Sequence, residues 1–202
     1  MKTNSILLSL AIILMIQLSS CSPELIIAEK YYNKHEKVLT TIEKDYKLQY
    51  AYKPFAVAFT DKSFRYVSIE IMTDTLKYIY EFEVGESRLN DTLMKYELNQ
   101  AAVHQLINNM RTVKCIWINM LDYYVEEHKN ALVFIAIRPL EMNNPFTNKK
   151  YYILTFFNKQ QYFDKEGNLL ARNKHKRKRE VNGDFVRRIN DKVCYTISDR
   201  FR

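Results

Sequence analysis

The sequence predicts an α+β fold: an antiparallel sheet with two main helices packed on one face, preceded by a signal peptide that is cleaved off. Three observations carry this. Several short segments alternate apolar and polar residues, as half-buried strands do. Two longer stretches repeat apolar residues every three to four positions, as amphipathic helices do. The strands follow one another along the chain without the regular βαβ alternation of a parallel sheet.

The first helix starts at Ser22-Pro23-Glu24, with Ser as N-cap and Pro at the first helical position. Ala28, Tyr31, His35, Val38, Ile42 and Tyr46 form its apolar stripe, and Pro54 ends any continuation. Phe55–Thr60 is a short strand. In Arg65–Ile71, Val67, Ile69 and Ile71 alternate with Ser68 and Glu70. In Thr75–Val84, Leu76, Tyr78, Tyr80, Phe82 and Val84 share one face, and Lys77, Glu81 and Glu83 the wet one. Thr73-Asp74 suits the turn of a hairpin between these two strands. The period then changes. Leu89, Leu93, Tyr96, Val103, Ile107 and Met110 mark one face of a second helix beginning near Asn90-Asp91. Lys114–Val125 reads equally as helix or strand. Ala131–Ile137 is an apolar run ending before Pro139 and suits a central strand; Tyr151–Phe157 is another, rich in aromatics. Gln161–Phe163 and Leu169–Arg172 flank Asp164-Lys165-Glu166-Gly167-Asn168, a hairpin turn in which Gly167 supplies positive φ. Val193–Ile197 reads as the last strand.

The amino terminus has a different character. Lys2 precedes an apolar run from Ile6 to Ile16, followed by Leu18-Ser19-Ser20-Cys21. A basic start, an apolar stretch and small residues before a cut site make a secretory signal peptide. The apolar stretch is too short to span a bilayer, which needs about 20 such residues. Leu-Ser-Ser-Cys resembles the lipobox of bacterial lipoproteins. The resemblance covers only about the first 21 residues and implies cleavage before Cys21, with acyl chains on its thiol and on the new amine. Two chains anchor a protein stably where one does not. In lipoproteins of this type an Asp after the Cys retains the protein in the inner membrane. Ser22 stands there instead, so the implied address is the outer membrane, facing the periplasm. The expected organisation is a signal peptide over 1–20 and a single domain over 21–202.

Charge is distributed unevenly. The whole chain carries 31 Lys+Arg against 23 Asp+Glu. Residues 21–164 hold 18 of each, whereas residues 165–202 hold 12 basic and 5 acidic ones. Within that tail, seven of the eight residues in Arg172-Asn173-Lys174-His175-Lys176-Arg177-Lys178-Arg179 are Lys, Arg or His. Such a run repels itself and is read first as a solvated loop or strand end. Its functional reading is contact with an anionic partner through Lys174, Lys176, Arg177, Lys178 and Arg179: an acidic protein, anionic lipid headgroups or lipopolysaccharide phosphates. Each cation near such a surface adds about 1 kcal/mol. Export removes nucleic acid as the usual partner of a basic run.

Once Cys21 carries lipid, Cys115 and Cys194 remain. They are either a disulfide, which an envelope compartment permits, or two buried thiols behaving as small hydrophobes. The four histidines, His35, His104, His128 and His175, include no pair at metal-binding spacing. No nucleophile elbow, S-x-x-K, H-E-x-x-H or Walker motif occurs. The three glycines cannot build a phosphate-cradling loop. No cofactor or metal is expected. Trp117, alone among 15 Tyr and 11 Phe as a tryptophan, reads as a core anchor. Tyr78, Tyr80 and Phe82 also read as core; on an uncovered face they would make a glycan-stacking groove. These readings converge on a lipid-anchored envelope protein that works by binding, as an accessory, immunity or inhibitor protein. The alternative is an envelope enzyme with a dispersed site acting on glycan or peptidoglycan.

Overall fold

The computed structural model describes residues 23–125, 128–140, 150–171 and 174–198. The signal peptide and Cys21 lie outside the described residues. The fold is α+β. In chain order it runs α1 (Pro23–Tyr52), β1 (Phe55–Phe59), β2 (Tyr66–Met72), β3 (Lys77–Glu83), α2 (Ser87–Lys95), α3 (Gln100–Thr112), β4 (Cys115–Val125), β5 (His128–Leu140) and β6 (Lys150–Phe157). Short strands β7 (Leu170–Ala171), β8 (Lys174–Lys178), β9 (Glu180–Val181), β10 (Asp184–Phe185) and β11 (Arg187–Arg188) follow, and β12 (Val193–Ser198) closes the chain. By packing, the chain divides into two units: residues up to Lys34, described as the opening turns of α1, and residues from His35 onward. Among the described residues no helix is long and apolar enough to cross a membrane.

Among the described residues eight strands form one sheet in the order β11-β12-β6-β5-β4-β1-β2-β3, and every neighbouring pair is antiparallel. Two meanders, β1–β2–β3 and β4–β5–β6, are joined where β1 meets β4 through Val57↔Ile118 and Ala58↔Trp117. Side chains alternate between faces along each strand, so the register assigns each face. One carries Phe55, Val57, Ile69, Ile118, Ile135 and Leu154 in adjoining rows, all fully buried. Contacts of α1 and of the chain just after α2 fall on this face. The Tyr46 ring lies 5.1 Å from that of Phe55, and its hydroxyl donates to the Phe55 carbonyl. The Tyr96 hydroxyl pairs with that of Tyr80 at 2.6 Å. After position 35, Ile42 and Tyr46 of the expected stripe are fully buried, and Leu39 is buried in place of the expected Val38. Burying three such side chains is worth about 1.5–3 kcal/mol each.

The second predicted helix is two helices. α2 ends at Tyr96, Glu97 turns left-handed at φ 58°, and the Leu98 amide reaches back to the Leu93 carbonyl at 2.9 Å. Asn99 then caps α3 by accepting from the Ala102 amide at 3.0 Å. Both halves keep the apolar stripe, with Leu89 and Leu93 buried in α2, and Val103, Leu106, Ile107 and Met110 in α3. The ambiguous segment after α3 is strand β4. Lys114 takes φ 55°, which ends the helix and sends the chain into the sheet.

The outer strand also differs from expectation. β3 is an edge strand. Of its expected inner residues only Phe82 is fully covered, and Tyr78 is 39% exposed. Among the described residues β2 flanks it on one side and no further strand completes its burial. The turn over 164–168 forms as read: the Asp164 amide donates to the Asn168 carbonyl at 3.0 Å, Phe163 bridges Leu169, and Gly167 adopts φ 80°.

Candidate functional site

The second face of the sheet is built differently. Small residues stand where the first face has large ones: Ala56 and Ala58 on β1, and Ala136 on β5. Ala58 pairs with both Ser68 and Trp117, and Trp117 pairs with Ala136, whose other neighbour is Ile153. The adjoining row runs Asn119, Phe134, Thr155 and Cys194. The alanines are themselves covered, and beside them a hollow opens along Trp117, Phe134, Ile153 and Thr155. The β9–β10 hairpin stands at one wall, turning through Asn182 and Gly183, both at positive φ. It is tied to the sheet by the Thr196 hydroxyl, which donates to the Phe185 carbonyl at 3.2 Å.

The result is a half-open cavity of about 1050 Å³, lined from β2 and β3 across to β12. Its apolar lining includes Trp117, Phe134 and Ile153, each buried. Its polar lining includes Glu70, Asn119, Thr155, Asn182 and Asp184. Glu70 was expected on a wet face. It is instead 5% exposed and meets the Lys77 ammonium at 2.8 Å. The ladder places it opposite Ala56, at the cavity wall rather than in open solvent. Asn119 uses its carbonyl oxygen to accept from the Met120 amide at 2.8 Å. Thr155 is 1% exposed, lines the cavity, and its hydroxyl finds no hydrogen-bond partner among the described residues. A buried hydroxyl left unpaired costs about 1–3 kcal/mol. Chemically the cavity offers hydroxyl and amide groups beside apolar rings, with one carboxylate already neutralised by a lysine.

The basic run is dispersed by the fold. Lys174–Lys178 forms β8, paired with β7. Arg177 and Lys178 are exposed, whereas the side chains of Lys174 and Lys176 lie outside the described residues. Arg179 is not an open contact residue. Its guanidinium sits 5.2 Å from the centre of the Tyr123 ring and donates to the Gln161 side chain at 3.4 Å.

The two remaining cysteines do not bond. Both are free and buried. Cys115 lies on β4 and Cys194 on β12, three strand spacings apart in the sheet. That is about 14 Å, against the roughly 7 Å limit between Cα atoms for a disulfide. Burial pushes each thiol up to about 12. Cys115 also donates to the Trp117 carbonyl at 3.3 Å.

Elsewhere, His104 is engaged with Asn90 at 2.6 Å. Glu81 accepts from Thr60 at 2.6 Å, and Glu83 from Arg65 at 3.3 Å. Tyr78, Tyr80 and Tyr96 cluster with ring centres within 6.0 Å on the helix-bearing face, away from the cavity. Among the described residues no group of three or more His, Cys, Asp or Glu is placed to hold a metal ion.

Sequence reasoning missed Glu70, Asn119, Thr155 and Asp184 as site residues, and read Trp117 first as a core anchor and second as a ligand platform. No signal along the chain marked them, because only the pairing of the strands brings Asn119 and Thr155 to one face. Compared with known proteins, the chain matches no family model, no curated protein and no solved structure.

Proposed function

We propose that this chain is a lipid-anchored cell-envelope protein that works by binding, taking its ligand on the face of the sheet opposite α1. The observation that carries the binding reading is the cavity of about 1050 Å³ with the unpartnered Thr155 hydroxyl in its wall. Small-molecule sites span about 300–1,000 Å³ and combine apolar walls with a few convergent polar groups. The anchor rests on Leu18-Ser19-Ser20-Cys21 and the apolar run before it. Acylation of Cys21 would place the domain at the outer membrane, on its periplasmic side. The exposed basic residues Arg177 and Lys178, with Lys174 and Lys176, supply a second contact: an acidic protein or an anionic headgroup, met as an accessory or immunity protein meets its partner.

A second reading is an envelope enzyme acting on glycan, favoured by the presence of two carboxylates, Glu70 and Asp184, at one cavity. Binding is preferred because the Glu70 carboxylate is already engaged by the Lys77 ammonium at 2.8 Å.

Membrane fractionation and metabolic labelling with a fatty acid test the anchor. The wild-type chain is expected in the membrane fraction and labelled. Cys21→Ala is expected unlabelled and retained as the uncleaved precursor. Equal labelling of both would remove the anchor reading.

A further inference from the structure

We infer that the cavity takes a neutral saccharide, the hydroxyls of the sugar pairing with Thr155, Asn119 and Asp184 while its C–H faces lie on Trp117 and Phe134. This rests on the binding reading above and names the ligand that reading leaves open.

The floor of the cavity decides against other ligands. Asn119, Phe134 and Thr155 lie on β4, β5 and β6, each flanked by strands on both sides. The main-chain groups of those floor strands are consumed in the ladders, so an extended peptide could pair only at the rim, along the edge strand β3, and not across the floor where Thr155 lies. The polar groups that remain are side-chain hydroxyls, amides and carboxylates. An anion is disfavoured because Lys77 already faces Glu70 at 2.8 Å, and Asp184 adds a second negative charge to the lining. An acyl chain would leave Thr155 and the amide of Asn119 unpaired in a dry site, which costs free energy for every group so buried.

A sugar satisfies both halves of the lining. Each hydroxyl donates and accepts, as Thr155 can, and amide and carboxylate groups match pairs of neighbouring hydroxyls. The rings of Trp117 and Phe134 and the side chain of Ile153 offer apolar surface to its C–H groups. Thr155 is the group that most favours a sugar. It is buried beyond nine-tenths, is among the residues lining the cavity and has no partner among the described residues; its oxygen is covered in the free protein, so a ligand hydroxyl reaches it, and supplies the missing hydrogen bond, once the side chains over it shift.

Trp117 is the sole tryptophan of the chain, so its emission reports on this cavity alone. The full-length protein in detergent micelles is titrated with a set of neutral hexose and N-acetylhexosamine trisaccharides, and in parallel with a tetra-alanine peptide and inorganic phosphate. A saturable change in emission with a trisaccharide is expected. Thr155→Val, which keeps the shape and removes the hydroxyl, is expected to weaken that binding about five- to tenfold, the worth of one hydrogen bond. Asp184→Asn is a second, surface-side variant expected to weaken it without disturbing the core. Response to the peptide or phosphate alone would overturn the saccharide assignment and leave the cavity a binding site. No response to any probe would overturn both. A saccharide response unchanged in both variants would overturn the placement of the sugar at these residues.

Discussion

At Thr155 the fold buries a hydroxyl beside Phe134 and Cys194 and gives it no partner among the described residues. Replacing such a group by a methyl of the same shape removes a desolvation cost and breaks no bond. Thr155→Val is therefore expected to raise the urea midpoint by about 1 kcal/mol of stability while it weakens ligand binding, the opposition typical of residues kept for function. The buried thiols make a second statement at this scale. Each has an ordinary value of 9.0 raised to about 12 by burial. The folded state thus holds these protons more tightly than the unfolded one, and the resulting stability is complete below pH 9 and lost as pH rises toward 12. The fall in urea midpoint between those limits is expected to be smaller in the Cys115→Ala/Cys194→Ala variant. None of these roles was legible along the chain. Thr155 and Asn119 are ordinary strand residues in sequence, and only pairing across β4, β5 and β6 brings them beside Trp117. Glu70 looked solvated because its alternation with Val67, Ile69 and Ile71 says which face it is on, not what stands over that face.

Elements were far more legible. The alternation in residues 65–71 and the apolar run 131–137 correspond to β2 and β5, because burial on one or both faces leaves a period that needs no tertiary knowledge. The divided second helix escaped for a specific reason: the stripe from Leu89 to Met110 continues across the break, since α2 and α3 each turn an apolar face inward. The break is written in Glu97-Leu98-Asn99, where a left-handed residue is followed by a side chain that caps the next helix. Asn99→Ala is expected to cost about 1 kcal/mol, with Asn99→Ser recovering most of it, as read from denaturant midpoints. β4 stayed ambiguous because apolar residues fill both of its faces, one against the helix-bearing core and the other at the cavity.

At the scale of the whole molecule, the surplus of positive charge at the carboxyl end does not act as one block. Arg179 is engaged by Tyr123 and Gln161, so its loss is expected to loosen the local fold. Arg177 and Lys178 are exposed; Lys178 pairs with Leu170 on β7 through the backbone, and its charge acts on Asp164. Neutralising Lys174, Lys176, Arg177 and Lys178 together to Gln is expected to lower affinity for anionic vesicles by at least about tenfold at low salt, given about 1 kcal/mol per cation. The difference is expected to shrink as salt is raised toward physiological strength, where screening sets in within about 8 Å. Co-sedimentation across a salt series measures both. Unchanged sedimentation in the variant would remove the headgroup contact. Composition made the uneven charge visible in the chain; which arginine the fold consumes was not visible, because Tyr123 and Gln161 are distant in sequence from Arg179.

The seam between the two meanders has a kinetic consequence. β1 and β4 meet through two residue pairs, Val57↔Ile118 and Ala58↔Trp117, with about sixty residues of chain between them. Each meander closes through near neighbours, whereas the seam must wait for a long loop to close, which is the slow kind of contact. α1 bears on both sides of it: one turn apart, Tyr46 donates to Phe55 on β1 and Tyr50 to Met120 on β4 at 3.5 Å. The helix thus bridges two half-sheets that would otherwise meet along a short join. The order of assembly that follows is two local meanders first, then α1 drawing them together. The cavity, whose lining comes from both halves, comes into being only in that last step.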